Sequence, residues 1–198
     1  MQLKNGGIMM KSVFKILLKV VLIFVIVEIV FYILFFASIP ITDKSNDEND
    51  YETYLNEVKY ANNHMPALAD LANYEEISIN RKTKKYLLWK RDSISLKVSY
   101  NEAAFEEAVK SIQSKYSFVT KDIEDMDDYS ASIEGYSIGI VSKKETYESH
   151  DFYDYPKGFL MIGVNENNNS ILYLFHYDFD LDEIDNLDSF IKKNYLLK

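Results

Sequence analysis

Cysteine is absent from this chain of 198 residues, and histidine and proline occur only three times each. Without cysteine there is no disulfide scaffold, no Cys-ligated zinc and no lipobox-type lipid attachment. The three histidines, His64, His150 and His176, have no second His or Cys at ligand spacing, and no H-E-x-x-H occurs. Glycine is also sparse, with six in the chain, and no P-loop, G-x-G-x-x-G or G-x-S-x-G is present. No catalytic residue, metal site or cofactor can therefore be named from a motif.

Positive charge is in short supply beyond residue 39. The formal net charge is −9. Lys4, Lys11, Lys15 and Lys19 all precede or enter the first apolar run. Beyond that run eighteen Lys and Arg stand against thirty Asp and Glu, a net of −12. A domain so acidic repels phosphate backbones, which excludes nucleic acid as the expected partner. Carboxylates are so numerous that a pair suited to glycoside hydrolysis carries no information. The series Asp178, Asp180, Asp182, Asp185 suggests calcium, but an EF-hand loop begun at Asp178 would hold Glu183 and Ser189 where Gly and Glu are required. Helix capping explains those acids equally well. The run Asp122, Glu124, Asp125, Asp127, Asp128 lacks the glycine too.

What the chain has in abundance is one long apolar run. Residues 13–39 read VFKILLKVVLIFVIVEIVFYILFFASI, and from Val20 to Ala37 only Glu28 is charged. About 20 apolar residues span a bilayer core of about 30 Å, so this stretch predicts an integral single-pass membrane helix. Lysines before it and Asp43, Asp47, Glu48 and Asp50 after it predict a cytoplasmic N-terminus (1–12). Lys15 and Lys19 can snorkel to the inner interface. A cleaved signal peptide is the rival reading, but its apolar core is about 7–15 residues, shorter than this run. Met9 and Met10 follow Asn5-Gly6-Gly7 and are alternative starts to Met1.

Glu28 is the one residue inside the span that asks for a reason. Intramembrane ionisable groups mark functional contacts by default. Tyr32, one turn on, can satisfy it locally. Alternatively Glu28 makes a helix–helix contact with a second copy or another protein, because the span has no glycine and hence no GxxxG surface.

Beyond the span, residues 40–50 read as an acidic linker and 51–198 as an extracytoplasmic α+β domain. Tyr51, Tyr54, Leu55, Val58 and Ala61 recur at helical spacing. Leu68 and Leu71 belong to a short helical turn. Strands are expected at Glu76–Asn80, Tyr86–Lys90 and Ile94–Tyr100, with Arg81–Lys85 as the turn between the first two. Ile94, Leu96, Val98 and Tyr100 alternate with Ser95, Lys97 and Ser99, the pattern of a half-buried antiparallel strand with one polar face. Asn101 caps a striped helix carrying Phe105, Ala108, Val109, Ile112 and Tyr116. Further strands are expected at Tyr136–Val141, Phe159–Val164 and Ile171–Tyr177, the last two apolar on both faces and so central in the sheet. A final helix starting near Asp180 carries Ile184, Leu187, Ile191 and Tyr195. The order is α-βββα-βββα, and its two similar halves raise an internal duplication as one explanation.

Two surface clusters are candidate contact sites. Arg81, Lys82, Lys84 and Lys85, with Lys90 and Arg91 nearby, contradict the acidic background. They form either a solvated turn or a contact for an anionic surface such as lipid headgroups or wall polymers. Tyr147, Phe152, Tyr153 and Tyr155 form an aromatic loop suited to a protein partner, since Tyr buries area with few torsions to freeze. Some of those rings can simply cover a sheet edge.

The segments HMPALADLANYEEI (64–77) and GFLMIGVNENNNSILYLFHYDFDLDEI (158–184) resemble a group of small uncharacterised proteins of low-GC Gram-positive bacteria. The resemblance covers about three-quarters of the chain. It implies an N-terminal membrane segment with an α+β outer domain, and no activity. The expected function is a membrane-anchored binding domain of unknown ligand. An enzyme of unrecognised type acting on envelope polymer, and an accessory subunit acting through its membrane helix, are the alternatives.

Overall fold

The computed structural model describes residues 5–58, 61, 64–71, 73–87, 89–119, 129–143, 157–178 and 184–195. They divide into two units, 1–41 with 86–88, and 42–85 with 89–198.

The first unit is dominated by helix α1 (Asn5–Ala37). Its stretch Phe14–Ala37, 24 residues, is long and apolar enough to cross a membrane. At 1.5 Å per residue it measures about 36 Å, against about 30 Å of hydrocarbon. Every side chain from Phe14 to Phe36 is exposed. A contiguous apolar surface of this size requires lipid or a partner helix to cover it.

The second unit is built on an antiparallel sheet with the order β1-β2-β3-β8-β7-β6-β4, and β5 also pairs with β6. Its strands are β1 (Ile41–Ser45), β2 (Tyr74–Lys85), β3 (Lys90–Tyr100), β4 (Tyr116–Phe118), β5 (Ser130–Ile133), β6 (Tyr136–Lys143), β7 (Lys157–Asn165) and β8 (Ser170–Asp178). Helices α2 (Glu48–Glu57), α3 (Glu102–Lys115) and α4 (Leu187–Asn194) complete it, with a 3₁₀ turn at Leu68–Asp70. Local chemistry sets the helix starts. Asp47 accepts from the backbone amides of Asn49 and Asp50, Asn101 from Ala104, and Asn186 from Ser189.

The sheet separates two cores. On one face Ile94, Leu96, Val98, Leu160, Ile162, Ile171 and Phe175 pack with Tyr51, Tyr54 and Leu55 of α2 and Phe105 and Ile112 of α3. On the other, Ile138, Ile140, Phe159, Met161, Leu172 and Leu174 pack with Leu187 and Ile191 of α4, with Ile184 and Tyr195 beside them. The α+β class follows, and the β7–β8 hairpin is central as its two apolar faces require. β5 turns into β6 through Glu134 and Gly135 at φ 52° and 84°. Two left-handed residues in a two-residue loop match the twist of a tight hairpin, and only the glycine takes that φ without cost.

The element order departs from expectation in several places. Among the described residues two strands, not three, lie between α2 and α3, because Arg81–Lys85 continues β2 and β3 begins at Lys90. Thr83 explains this: it faces inward opposite Asp92, and its hydroxyl donates to that carboxylate at 2.6 Å. Five strands follow α3 among the described residues. β4 and β5 were not anticipated, being only three and four residues long. The two halves therefore do not repeat. Residues 41–45, read as linker, form edge strand β1. Helix α4 begins at Leu187 rather than near Asp180, capped by Asn186. The polar face of β3 is half-buried only in its second half: Lys97 and Ser99 are partly exposed as expected, but Ser93 and Ser95 are only 4% and 3% exposed.

Candidate functional site

Period two splits the basic cluster between the faces of the sheet. Arg81 shares the α2 face with Ile79 and Thr83, where its guanidinium lies 5.5 Å from the centre of the Tyr54 ring and 3.7 Å from Asp43. Lys82 and Lys84 point the other way. Their register partners are Ser93 and Arg91, and Asn80 sits opposite Ser95. Lys85 ends the strand exposed.

The sequence reading missed the buried polar knot beneath Arg81. Asp92 is wholly buried and accepts from Thr83 at 2.6 Å and from the Tyr54 hydroxyl at 2.9 Å, while the Lys90 ammonium lies 3.2 Å away. Lys90 also lies 5.6 Å from the Tyr54 ring centre. A buried carboxylate is tolerable only when partnered in this way. Burial, and then the Asp92 charge, raise the Tyr54 phenol above its usual range, so it stays a neutral donor. The signal was present in the sequence: continuing the row Ile94, Leu96, Val98 back by two residues places Asp92 in the core. The knot is structural, since all its groups are spent on one another.

On the opposite face a cleft of about 280 Å³ opens beside α4. Its wall comprises Lys44, Ser45 and Asn46, Asn80, Arg81 and Lys82 of β2, Ser93 and Ser95 of β3, and Asn194 and Tyr195. His176 lies behind Ser93, with its Nδ1 3.2 Å from the serine Oγ. Its ring is boxed by Phe159, Phe190 and Tyr195 at centroid distances of 5.7, 4.8 and 6.5 Å. Burial, then the Arg91 charge, lower His176 to about 3, so it is a neutral structural ring at any physiological pH. Arg91 itself forms an ion pair with the buried Asp178.

A second concavity lies on the first face, a groove of about 710 Å³ between α3 and residues 65–71. Ala104, Ala108, Ser111 and Ile112 form one wall and Met65, Pro66 and Leu71 the other, with Tyr100 and Tyr173 lining the groove between them. Its charged residues, Asp70, Glu107 and Lys115, are all exposed at the rim. Burial pushes Tyr100 up to about 12 and raises Tyr116 and Tyr173 as well, so the phenols remain neutral. Tyr116 donates to the His64 carbonyl at 3.2 Å. The volume falls within the range of about 300–1,000 Å³ common for ligand sites. Sequence reasoning named Phe105, Ile112 and Tyr116 as a stripe but gave no sign that α3 leaves a gap.

The remaining candidates are placed as follows. Glu28 and Tyr32 stand one turn apart on α1, both exposed. The aromatic set Tyr147, Phe152, Tyr153 and Tyr155 lies outside the described residues, as do His150, Asp180, Asp182 and the acids of 122–128. Among the described residues no three His, Cys, Asp or Glu side chains converge on a point that can hold a metal ion. No protein-family model, curated protein or solved structure matches the chain.

Proposed function

We propose that this chain is a single-pass membrane protein with its N-terminus in the cytoplasm and its sheet domain on the extracytoplasmic side. The domain works by binding a partner, not by catalysis. The observation that carries the binding reading is the groove beside α3. Its interior is tyrosine and apolar surface and its charges stand only at the rim, the anatomy of an interaction site. Acid–base chemistry needs titratable groups held within reach of a bound substrate, and the groove's three charged residues sit in solvent. The anchor reading is supported by the 24 apolar residues of α1, and the orientation by the lysines that precede them.

The test is photo-crosslinking in intact cells. A photoreactive residue at Ala108 or Ser111, in the groove wall, is expected to capture a defined partner. The same residue at Glu106, exposed but outside the groove, is expected to capture none. Equal capture from all three positions, or none from any, overturns the groove. In spheroplasts, external protease is expected to digest the chain beyond about Thr42 and to spare Lys4; digestion on the N-terminal side instead reverses the orientation.

A further inference from the structure

The cleft between β2, β3 and the end of α4 has no part in the groove reading. Not one of its ten lining residues is acidic, in a region that carries a net charge of −12. At the average acid content of residues 40–198, about two of the ten would be carboxylates. Lys44 and Lys82 line it instead. Lys84 and Arg91 extend the same sheet face, and Lys193 is close enough to repel Lys84. Three carboxylates lie near among the described residues: Asp178 is paired with Arg91 and also attracts Lys84, Asp43 is paired with Arg81, and Asp50 accepts from the lining Ser45.

Polar groups surround this charge. Ser93 and Ser95 are deeply buried in the wall, where Ser93 meets His176 and Ser95 donates to the Asn80 carbonyl, and Asn46, the Asn80 side chain and Asn194, whose amide donates to the Phe190 carbonyl, stand beside them. The Tyr195 ring forms part of the same wall, and its hydroxyl is buried with no hydrogen-bond partner among the described residues. A buried hydroxyl left unpaired is costly, so its retention asks for a partner.

We propose that this cleft binds a phosphate group, carried on a small ester or at the end of a phosphodiester chain. Lysines act as point charges for such a group, and the Asn46 and Asn80 side-chain amides supply donors from other directions, as a tetrahedral anion demands. The buried serines mean that the group enters the cleft and does not rest on a flat surface. Burial, then the charges of Lys82, Arg91 and Lys193, hold the Lys84 ammonium below its usual value, and a bound anion would relieve that repulsion. This proposal rests on the reading of the domain as a binding module, but it uses the opposite face of the sheet. It therefore fails separately: loss of phosphate binding with groove crosslinking intact overturns the cleft alone.

The experiment is calorimetric titration of the full chain in non-ionic detergent. The probes are glycerol 3-phosphate and, in a second arm, a short-chain phosphatidylglycerol added to the micelles, with chloride at matched ionic strength as the reference. Saturable binding of a phosphate probe over chloride is expected. Lys82→Gln or Lys84→Gln should weaken it about tenfold, the equivalent of one charge-assisted hydrogen bond. Lys110→Gln, on the outer side of α3 beside Glu106, should leave it unchanged. Tyr195→Phe should weaken binding severalfold without lowering the melting temperature, an outcome that a purely structural hydroxyl would not give. Saturation by the soluble ester identifies a soluble or polymeric source, and saturation by the lipid alone identifies a headgroup. Absence of saturation in both arms, or equal affinity in the Lys82→Gln/Lys84→Gln double variant, overturns the proposal.

Discussion

Acid should destabilise the sheet domain through one ring. His176 is 1% exposed, boxed by three aromatic rings and close to the Arg91 guanidinium, and its folded-state value is lowered to about 3. In the unfolded chain the same imidazole titrates near 6.5. The folded value lies below the unfolded one, so between these limits the unfolded state holds the extra proton. Stability contributed by neutral His176 is then complete above about pH 7, falls as pH drops through 6.5, and levels off below about 3. The slope is about 1.4 kcal/mol per pH unit, which amounts to about 2 kcal/mol lost by pH 5. The perturbation that isolates it is His176→Phe, since Phe159, Phe190 and Tyr195 already provide an aromatic box. Removing the Ser93 contact should cost about 1 kcal/mol at pH 8. Urea unfolding of wild type and variant, in the same detergent at pH 8, 6 and 5, gives the difference directly, because the other titrating groups are common to both. The wild type should lose about 2 kcal/mol more than the variant between pH 8 and 5. Parallel pH profiles would refute the reasoning, because they would mean that the imidazole is protonated in place or reached by water.

Three further outcomes are expected. Asp92→Ala should cost about 3–5 kcal/mol, since it strands the Tyr54 and Thr83 hydroxyls in the core; a loss under 1 kcal/mol in urea unfolding would show that the knot carries little stability. Leu96→Asp should abolish cooperative unfolding by placing an unpaired charge among fully buried neighbours. Ser95→Asp, which a half-buried strand would have tolerated, should be clearly destabilising too, and circular dichroism with thermal melting separates the two expectations. Glu28→Leu should insert into membranes at least as well as wild type but weaken self-association or partner recovery, while Glu28→Gln should retain it. A polar contact between membrane helices contributes about 0.6–2 kcal/mol, and equal signals in a membrane oligomerisation reporter would show that Glu28 is only tolerated.

How far the fold could be read depended on whether a residue's partners were near in sequence. The apolar run, the Asn101 cap and the β7–β8 hairpin are local, and composition or spacing alone exposes them. The end of β2 was not legible. RKTKK has the composition of a turn, and only the partner 83↔92 across the hairpin reveals Thr83 as a core donor. Likewise Ser93 and Ser95 of β3 read as solvated because alternation reports polarity, not exposure. They are covered by a cleft wall whose other side, Asn194 and Tyr195, lies about a hundred residues downstream. The candidate sites followed the same rule. Lys82 and Lys84 were visible as charge, but their separation from Arg81 needed the register. The groove beside α3 is a gap between elements, and no residue pattern encodes a gap.

The seam between β3 and β8 sets the order in which this domain can be completed. Ser93 and His176 face each other across 83 residues of chain, and among the described residues the sheet has no other join between its first three strands and its last five. As the chain leaves the ribosome, β2 and β3 can pair at once. The β3 edge then stays open, with Ile94, Leu96 and Val98 beside it, until the penultimate element arrives. Closing so long a loop makes folding slow, and an unpaired apolar edge attracts other chains. A chain truncated anywhere before β8 would leave that edge permanently unsealed, and quality control would meet it as an open sheet rather than as a shortened domain.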